Sequence, residues 1–462
     1  MRYTDPDWQN RMRVRLDTNL VWADRVGARG IRPDALDALL TTLPAIVSAV
    51  GAGFKPAPTT TRPTPPDATS GDVLDFARWA GRHYDSLVIL AERPLAQGMA
   101  ALADALLHPY WNLMGRDARV GPRLFFLGTT DPEVVSGILD TLDPATTLFV
   151  VADASGNAAG PLAEFLVFRR ALMTVLGETY REHIAGVAGP SADVLHVLGR
   201  QEGFPVFDLP AAPDDLLHPS VLLPVVAAGV DGAEILAGAA FAHALAADAD
   251  PWRNPALMGA ALHWLAHQHG RRGIAVAPQA DALASLGRWL SERWGEASTV
   301  SSDGETGGEG NGPQSLVDFI AVGEYRRETP VPELRTRHAL PTPEARAARD
   351  QVVAGIGYLG GTLLSELRKA EARASALTLA EDGRPSLTYR LPEINPFTVG
   401  QLVALWGMQT RYAAALFGIS PKPTPLDTLR DATTALANRP GAEDRRAALL
   451  AEESSARDDR VV

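Results

Sequence analysis

The chain has 462 residues, a formal net charge of −12, 46% apolar residues and 21% charged ones. This is the composition of a folded protein with material for two or three domains, and its acidity, unrelieved by any Lys/Arg-rich run, excludes nucleic acid and anionic membrane surfaces as partners. The absence of cysteine excludes disulfides, thiolate nucleophiles and thiolate metal sites, and lysine occurs only at Lys55, Lys369 and Lys422 among 43 basic residues, which leaves amine chemistry three candidates.

Residues 1–73 read as an N-terminal helical segment followed by a Pro/Thr-rich linker that holds Lys55. The N-terminus is too polar for a signal peptide and no apolar run reaches membrane-spanning length, so a cytoplasmic protein is expected. Strand and helix patterns then alternate. The apolar runs 86–90, 123–128, 147–152 and 203–209 predict buried parallel strands between helices, an αβα unit over 74–212. A second unit is predicted over 213–395. It contains helices near 219–230 and 232–246, a strand at 273–278, and an amphipathic helix over 281–297 with Leu283, Leu286, Leu290 and Trp294 on one face. An acidic Gly/Ser loop at 298–312, a strand at 316–323, a helix within 361–383 and a strand at 386–392 complete it. Residues 396–440 predict C-terminal helices, of which 397–419 is apolar nearly all round, as a buried or interface helix should be. The tail 441–462 is charged and expected to fray. The fold class is therefore α/β, two αβα units with parallel sheets and helical terminal segments.

The stretch "TLFVVADASGNAAGPLAEFLVFRR", 147–170, runs from strand through a loop of small residues into a helix. Such a loop points backbone N–H groups and a helix dipole at one spot, which suits an anion, yet Asp153 places a carboxylate there. A plain turn with Asp153 or Asn157 as helix cap fits the same residues. His263 and His267 stand at i, i+4, a metal-ligand spacing, but the segment lacks the glutamate of a zincin helix and any evident third ligand, so no metal is expected. Trp289, Trp294 and Trp406 sit at helical core positions and read as packing. Arg326, Arg327, Arg335 and Arg337 could form an anion site, with a solvated charged loop the favoured reading.

The segment 357–421, with "GYLGGTLLSELRKAEARASALTLAEDGRPSLTYRLPEINPFTVGQLVALWGMQ", resembles the C-terminal part of bacterial glucose-6-phosphate isomerases. That family shows there an "L-G…T-L-G-E-L" helix, a "G-R-P-N" turn, an "L-P-E" strand end and an "L-G-Q-L" helix. "ALLHPYWNLM", "FLGTTDPEVVSGILDTLDPATTLFVV" and "NPALMGAALHWLAHQHGRRGIAVAPQADALASLGRWLSERWGEAS" extend the likeness over about residues 84–440. The resemblance implies two sugar-isomerase (SIS) domains, a homodimer, a sugar or sugar phosphate as ligand, and no cofactor.

Carried over position by position, the family's working residues are mostly replaced. Its first Gly-rich turn falls on Ala91 to Leu95, where Pro94 removes a donor. Its phosphate loop falls on Asp153 to Ala158, where Ser155 and Gly156 match and Asn157 completes a remnant loop. The arginine that steadies the enediolate falls on Pro213, the ring-opening histidine near Glu328, and the final lysine near Asp431, with Arg430 and Lys422 as substitutes. Only the base survives, as Glu296 in "GEAST". The resemblance thus implies a catalytically degenerate, binding or regulatory homologue. Two alternatives stand beside it: an active aldose–ketose isomerase with Glu296 as base and Arg430, Lys422 or Arg326 in substitute roles, and a heteromer partner of an active isomerase.

Overall fold

The computed structural model describes residues 1–54, 63–64, 72–155, 158–189, 194–209, 216–271, 273–298, 315–334, 342–419 and 425–454. Among them the strands are β1 (Arg15–Asp17), β2 (Pro63–Thr64), β3 (Ser86–Ala91), β4 (Arg123–Leu127), β5 (Thr147–Asp153), β6 (Ile184–Ala188), β7 (Val206–Asp208), β8 (Gly273–Pro278), β9 (Ser315–Glu324) and β10 (Ser386–Glu393). They form two sheets, ordered β2-β7-β6-β5-β3-β4 and β1-β10-β9-β8. Each is parallel apart from one short antiparallel edge strand, β2 on β7 and β1 on β10. The α/β class expected from the sequence is the one that forms.

Every residue of β3, β5 and β6 is buried, as a strand covered by helices on both faces requires. Alternation divides the side chains between two layers: Leu87, Ile89 and Ala91 enter the large core shared with the second sheet, while Val88 and Leu90 pack with Phe165, Phe168 and Leu172 of the helix Ala159–Leu176. The sequence reading omitted β6, β1 and β2. The first is rich in Gly and Ala, and the other two are edge strands of three and two residues without alternation to read. β1 also weaves the N-terminal segment into the second sheet, with Leu16 opposite Tyr389.

The apolar helix Pro396–Leu416 lies between the helices Gly232–Ala246 and Pro255–Gln268, and its apolar circumference is consumed inside the chain. Its approach to Gly232–Ala246 depends on two reciprocal glycines. A Cβ on Gly238 would stand 2.0 Å from the Phe397 carbonyl oxygen, and one on Gly400 2.1 Å from that of Ile235. Backbone atoms cannot step aside as a side-chain end can, so Gly238→Ala is expected to cost about 3 kcal/mol of unfolding free energy. Gly51→Ala, on a helix with nothing within 4 Å of the new methyl, should cost nothing in the same urea titration.

The tail expected to fray carries a helix, Glu443–Ser454, set against Pro425–Leu436 with Arg445 donating to Asp431 at 3.0 Å. Among the described residues no single helix is long and apolar enough to cross a membrane.

Candidate functional site

The site is positioned by the order of the first sheet. The chain runs from β3 to β4 on one side and then crosses to β5 on the other. The helix after β3, Arg93–Leu106, packs on one face of the sheet and the helix after β5, Ala159–Leu176, on the opposite face. The C-terminal ends of β3 and β5 therefore diverge into a crevice, the place where open α/β sheets bind ligands. Here it is a cleft of about 290 Å³, walled by the turn Ala91–Pro94, by Gly128 to Thr130 after β4, by the first turns of Ala159–Leu176 and by Leu429, Arg430 and Thr433 of the helix Pro425–Leu436. Gly128 lets the β4 loop close in, since a Cβ there would be 2.8 Å from the Arg93 Cα.

Asp153, the last residue of β5, is 1% exposed. Its carboxylate accepts hydrogen bonds from the Ser155 backbone N–H at 2.9 Å, the Ser155 hydroxyl at 2.7 Å and the Ala158 backbone N–H at 3.0 Å. Ala158 is the N-cap residue of Ala159–Leu176 and offers no capping side chain, so Asp153 supplies the negative charge that the helix N-terminus favours. The backbone donors and the hydroxyl that make this loop look like an anion cradle are turned onto a carboxylate of the same chain.

Across the cleft, Arg430 donates to both oxygens of Glu92, at 2.7 and 2.5 Å, and to Asp427 at 2.8 Å. Burial alone would lower the guanidinium, and the hydrogen bonds and charges of Glu92, Asp427 and Asp153 override it and hold the group above its ordinary value. Arg430 is thus brought to the site with its fork already filled. Glu164 projects into the cleft from the helix Ala159–Leu176, 3% exposed, and its Oε2 has no hydrogen-bond partner. Burial pushes its carboxyl up to about 8.

No protein-family model matches the chain. The glucose-6-phosphate isomerase of Rubrobacter xylanophilus is 32% identical to it over 367 residues, which span 75% of this chain and 81% of that protein. The chain belongs to the glucose-6-phosphate isomerase family. The glucose-6-phosphate isomerase of Carboxydothermus hydrogenoformans is 28% identical over 402 residues, 83% of this chain and 86% of that protein. Among solved structures, a hypothetical protein of Thermus thermophilus superimposes with a TM-score of 0.71 at 23% identity, covering 91% of this chain and 99% of that one. A glucose-6-phosphate isomerase of Chlamydia trachomatis gives 0.66 at 16% identity, covering 94% and 95%. At these identities the two structures speak for the fold.

In the family's pattern the segments 91–95 and 153–158 both carry phosphate-binding turns; here Ala91 to Pro94 line the cleft, and Ala158 directly precedes the lining residues Ala159 to Pro161. The other expected residues are distributed as follows. The helix Ala284–Ser298 runs antiparallel to Arg93–Leu106, with Ser285 bonded to Asp104 and Trp289 beside Gly98. Its last turns, which carry Glu296, therefore arrive at the start of Arg93–Leu106, the end that lines the cleft. The Glu296 side chain itself lies outside the described residues, as do Gly156, Asn157, Arg335, Arg337, Lys422 and the segment 210–215 with Pro213. Arg326 is elsewhere. It donates to the carbonyls of Leu106 and Ala105 at 2.7 and 3.0 Å, capping the far end of Arg93–Leu106, about 20 Å from the cleft at 1.5 Å per residue. Arg327 lies there too, 3.0 Å from His108, so both arginines stand away from this cleft. Nor do the paired histidines converge: His263 contacts the Gly259 carbonyl and stands 3.3 Å from Asp318, while His267 meets Phe417 edge-on. Trp289, Trp294 and Trp406 are all buried in the core.

Sequence reasoning missed Glu92 and Glu164. The signal for Glu164 was present, since it stands among Pro161, Phe165, Phe168 and Leu172 on the one buried face of its helix, a carboxylate where the 3.6-residue period demands an apolar side chain.

Proposed function

We propose that this chain is a member of the glucose-6-phosphate isomerase family that no longer interconverts glucose 6-phosphate and fructose 6-phosphate and serves as a binding or regulatory homologue. The observation that carries this reading is the placement of Asp153. A phosphate in the cradle would have to displace a buried carboxylate from at least three hydrogen bonds and then sit beside its charge, a repulsion of several kcal/mol at intermediate dielectric. The bidentate Glu92–Arg430 pair supports the same reading, because a competing phosphate would meet an arginine already neutralised.

In a coupled assay of fructose 6-phosphate turnover, the purified protein is expected to be several orders of magnitude slower than its active relatives, since each lost acid–base partner or electrostatic stabiliser removes ~10²–10⁴-fold. The geometry that favours the rival reading, an active isomerase, is the arrival of the Glu296 turn at the cleft. Turnover near ordinary rates, abolished by Glu296→Gln, would decide for it.

The homodimer implied by the family belongs to the same proposal. The helix Pro396–Leu416 is spent internally, so the second copy is assigned to the exposed apolar face of Val352, Ile356 and Tyr358. Light scattering at micromolar concentration should give twice the chain mass, and a monomer would count against it.

A further inference from the structure

We propose that the cleft is a binding site for a small ammonium-bearing polyol of the amino-sugar class, its cation held against Glu164 and its hydroxyl groups against the threonines of the wall. The proposal rests on the reading above, that the cleft no longer takes phosphate.

Glu164 is 97% buried by its 3% exposure, lines the cleft, and leaves Oε2 without a partner. A buried carboxyl oxygen left unpaired is costly, and the donor that would satisfy it must come from whatever enters the cleft. The surrounding charge selects the kind of donor. Glu92 lines the same crevice and Asp153 lies near enough behind it to act on Arg430, and that half-buried arginine, a lining cation, is balanced by Glu92 and Asp427. Arg93 stands exposed at the mouth. The interior therefore favours a cation and opposes an anion. A metal ion fits poorly, because among the described residues no group of three His, Asp or Glu side chains could hold one. An ammonium brings three N–H donors and the charge that lets Glu164 release the proton it otherwise keeps at pH 7, so binding forms the carboxylate–ammonium pair and expels that proton to solvent. Thr129, Thr130 and Thr433 line the same cleft and offer hydroxyls that both donate and accept, the partners a polyol needs. At about 290 Å³ the space is at the small end of ligand sites, suited to a single sugar ring.

The test is isothermal titration of the full chain at pH 7 with three probes of one shape: glucosamine, glucose and glucose 6-phosphate. Glucosamine is expected to bind at least tenfold more tightly than glucose. Glu164→Gln should remove that advantage, and Thr433→Val, which keeps the carboxyl group, should weaken glucosamine severalfold. Equal affinity for glucosamine and glucose, glucosamine binding unchanged by Glu164→Gln, or no binding of any of the three would overturn the amino-sugar proposal while leaving the exclusion of phosphate standing. Glucose 6-phosphate binding more tightly than glucosamine would overturn both, so the two failures are distinguishable.

Discussion

Replacing Glu164 with glutamine is expected to stabilise the protein at pH 7 and above and to leave it unchanged below about pH 4.5. The ordinary glutamate value is 4.5, and burial pushes this one up to about 8. Below 4.5 both the folded and the unfolded chain hold the proton, and the group has no linkage to folding. Between 4.5 and 8 the unfolded chain releases the proton while the folded chain keeps it, so wild-type stability falls as pH rises, and the loss is complete above 8. At 1.36 kcal/mol per unit this amounts to about 3 kcal/mol at pH 7 and on the order of 5 kcal/mol at saturation. The glutamine amide has a similar shape and no titration, so the variant should escape the whole pH-dependent loss. Urea unfolding of both proteins at pH 4.5, 7 and 8.5 measures the difference. A gap that does not widen with pH would show that Glu164 is solvated in the native protein. A gap of the expected size, where an amide would serve packing equally well, would be the pattern of a site in which stability is given up for binding.

The architecture was legible because its signals are long. Buried parallel strands such as 147–152 are continuous apolar runs, and the helix Gly232–Ala246 coincides with its predicted span because Asp231 caps its start and its residues are apolar apart from Glu234 and His243. The short edge strands escaped because two or three residues carry no period, and their pairing depends on partners far away in sequence, as with Leu16 and Tyr389. The site was legible only in outline. The carboxylate at Asp153 was conspicuous in its loop, but which donors it takes is a matter of loop geometry that no spacing encodes. Arg430 and Glu92 lie 338 residues apart, and nothing in either local segment announces the pair. Arg326 shows the reverse case: close in sequence to the position at which the family's ring-opening histidine falls, it is drawn to the carbonyls at a helix C-terminus.

These placements show how the walls of the cleft are held by the chain's own groups. In an anion-binding crevice the helix N-terminus and the loop amides are satisfied when the ligand arrives. Here Asp153 accepts from the Ser155 and Ala158 N–H groups, and Glu92 does the same for Arg430, so the wall from β3 to Pro425–Leu436 is held together by internal ion pairs of good geometry. Among the described residues of that wall, Glu164 has a carboxyl oxygen, Oε2, without a hydrogen-bond partner.

The double replacement Asp153→Ser, Ala158→Thr should reverse this substitution of ligand by side chain. Removing the carboxylate leaves the Ser155 and Ala158 N–H groups and the Ser155 hydroxyl without their charged acceptor, and a hydrogen bond to a charged group contributes roughly 1.5–3 kcal/mol. A serine oxygen can recover one of the three, so the variant is expected to lose about 3 kcal/mol in phosphate-free buffer. The same donors then face an empty cradle at a helix N-terminus, and inorganic phosphate should occupy it. Pro94 in the opposite turn denies a further donor, which limits affinity to the millimolar range, about −4 kcal/mol. At a hundredfold excess over that Kd, phosphate returns about 2.7 kcal/mol, most of what the substitution removed. Thermal unfolding of the variant should therefore shift upward with phosphate and not with chloride at matched ionic strength, while the unaltered protein responds to neither. On the proposed reading no isomerase turnover is expected from the variant, because Pro213 and Glu328, where the family's arginine and histidine fall, are untouched. If phosphate stabilises the unaltered protein as much as the variant, then Asp153 does not hold the cradle against anions, and the reading of this site as closed to sugar phosphates falls with it.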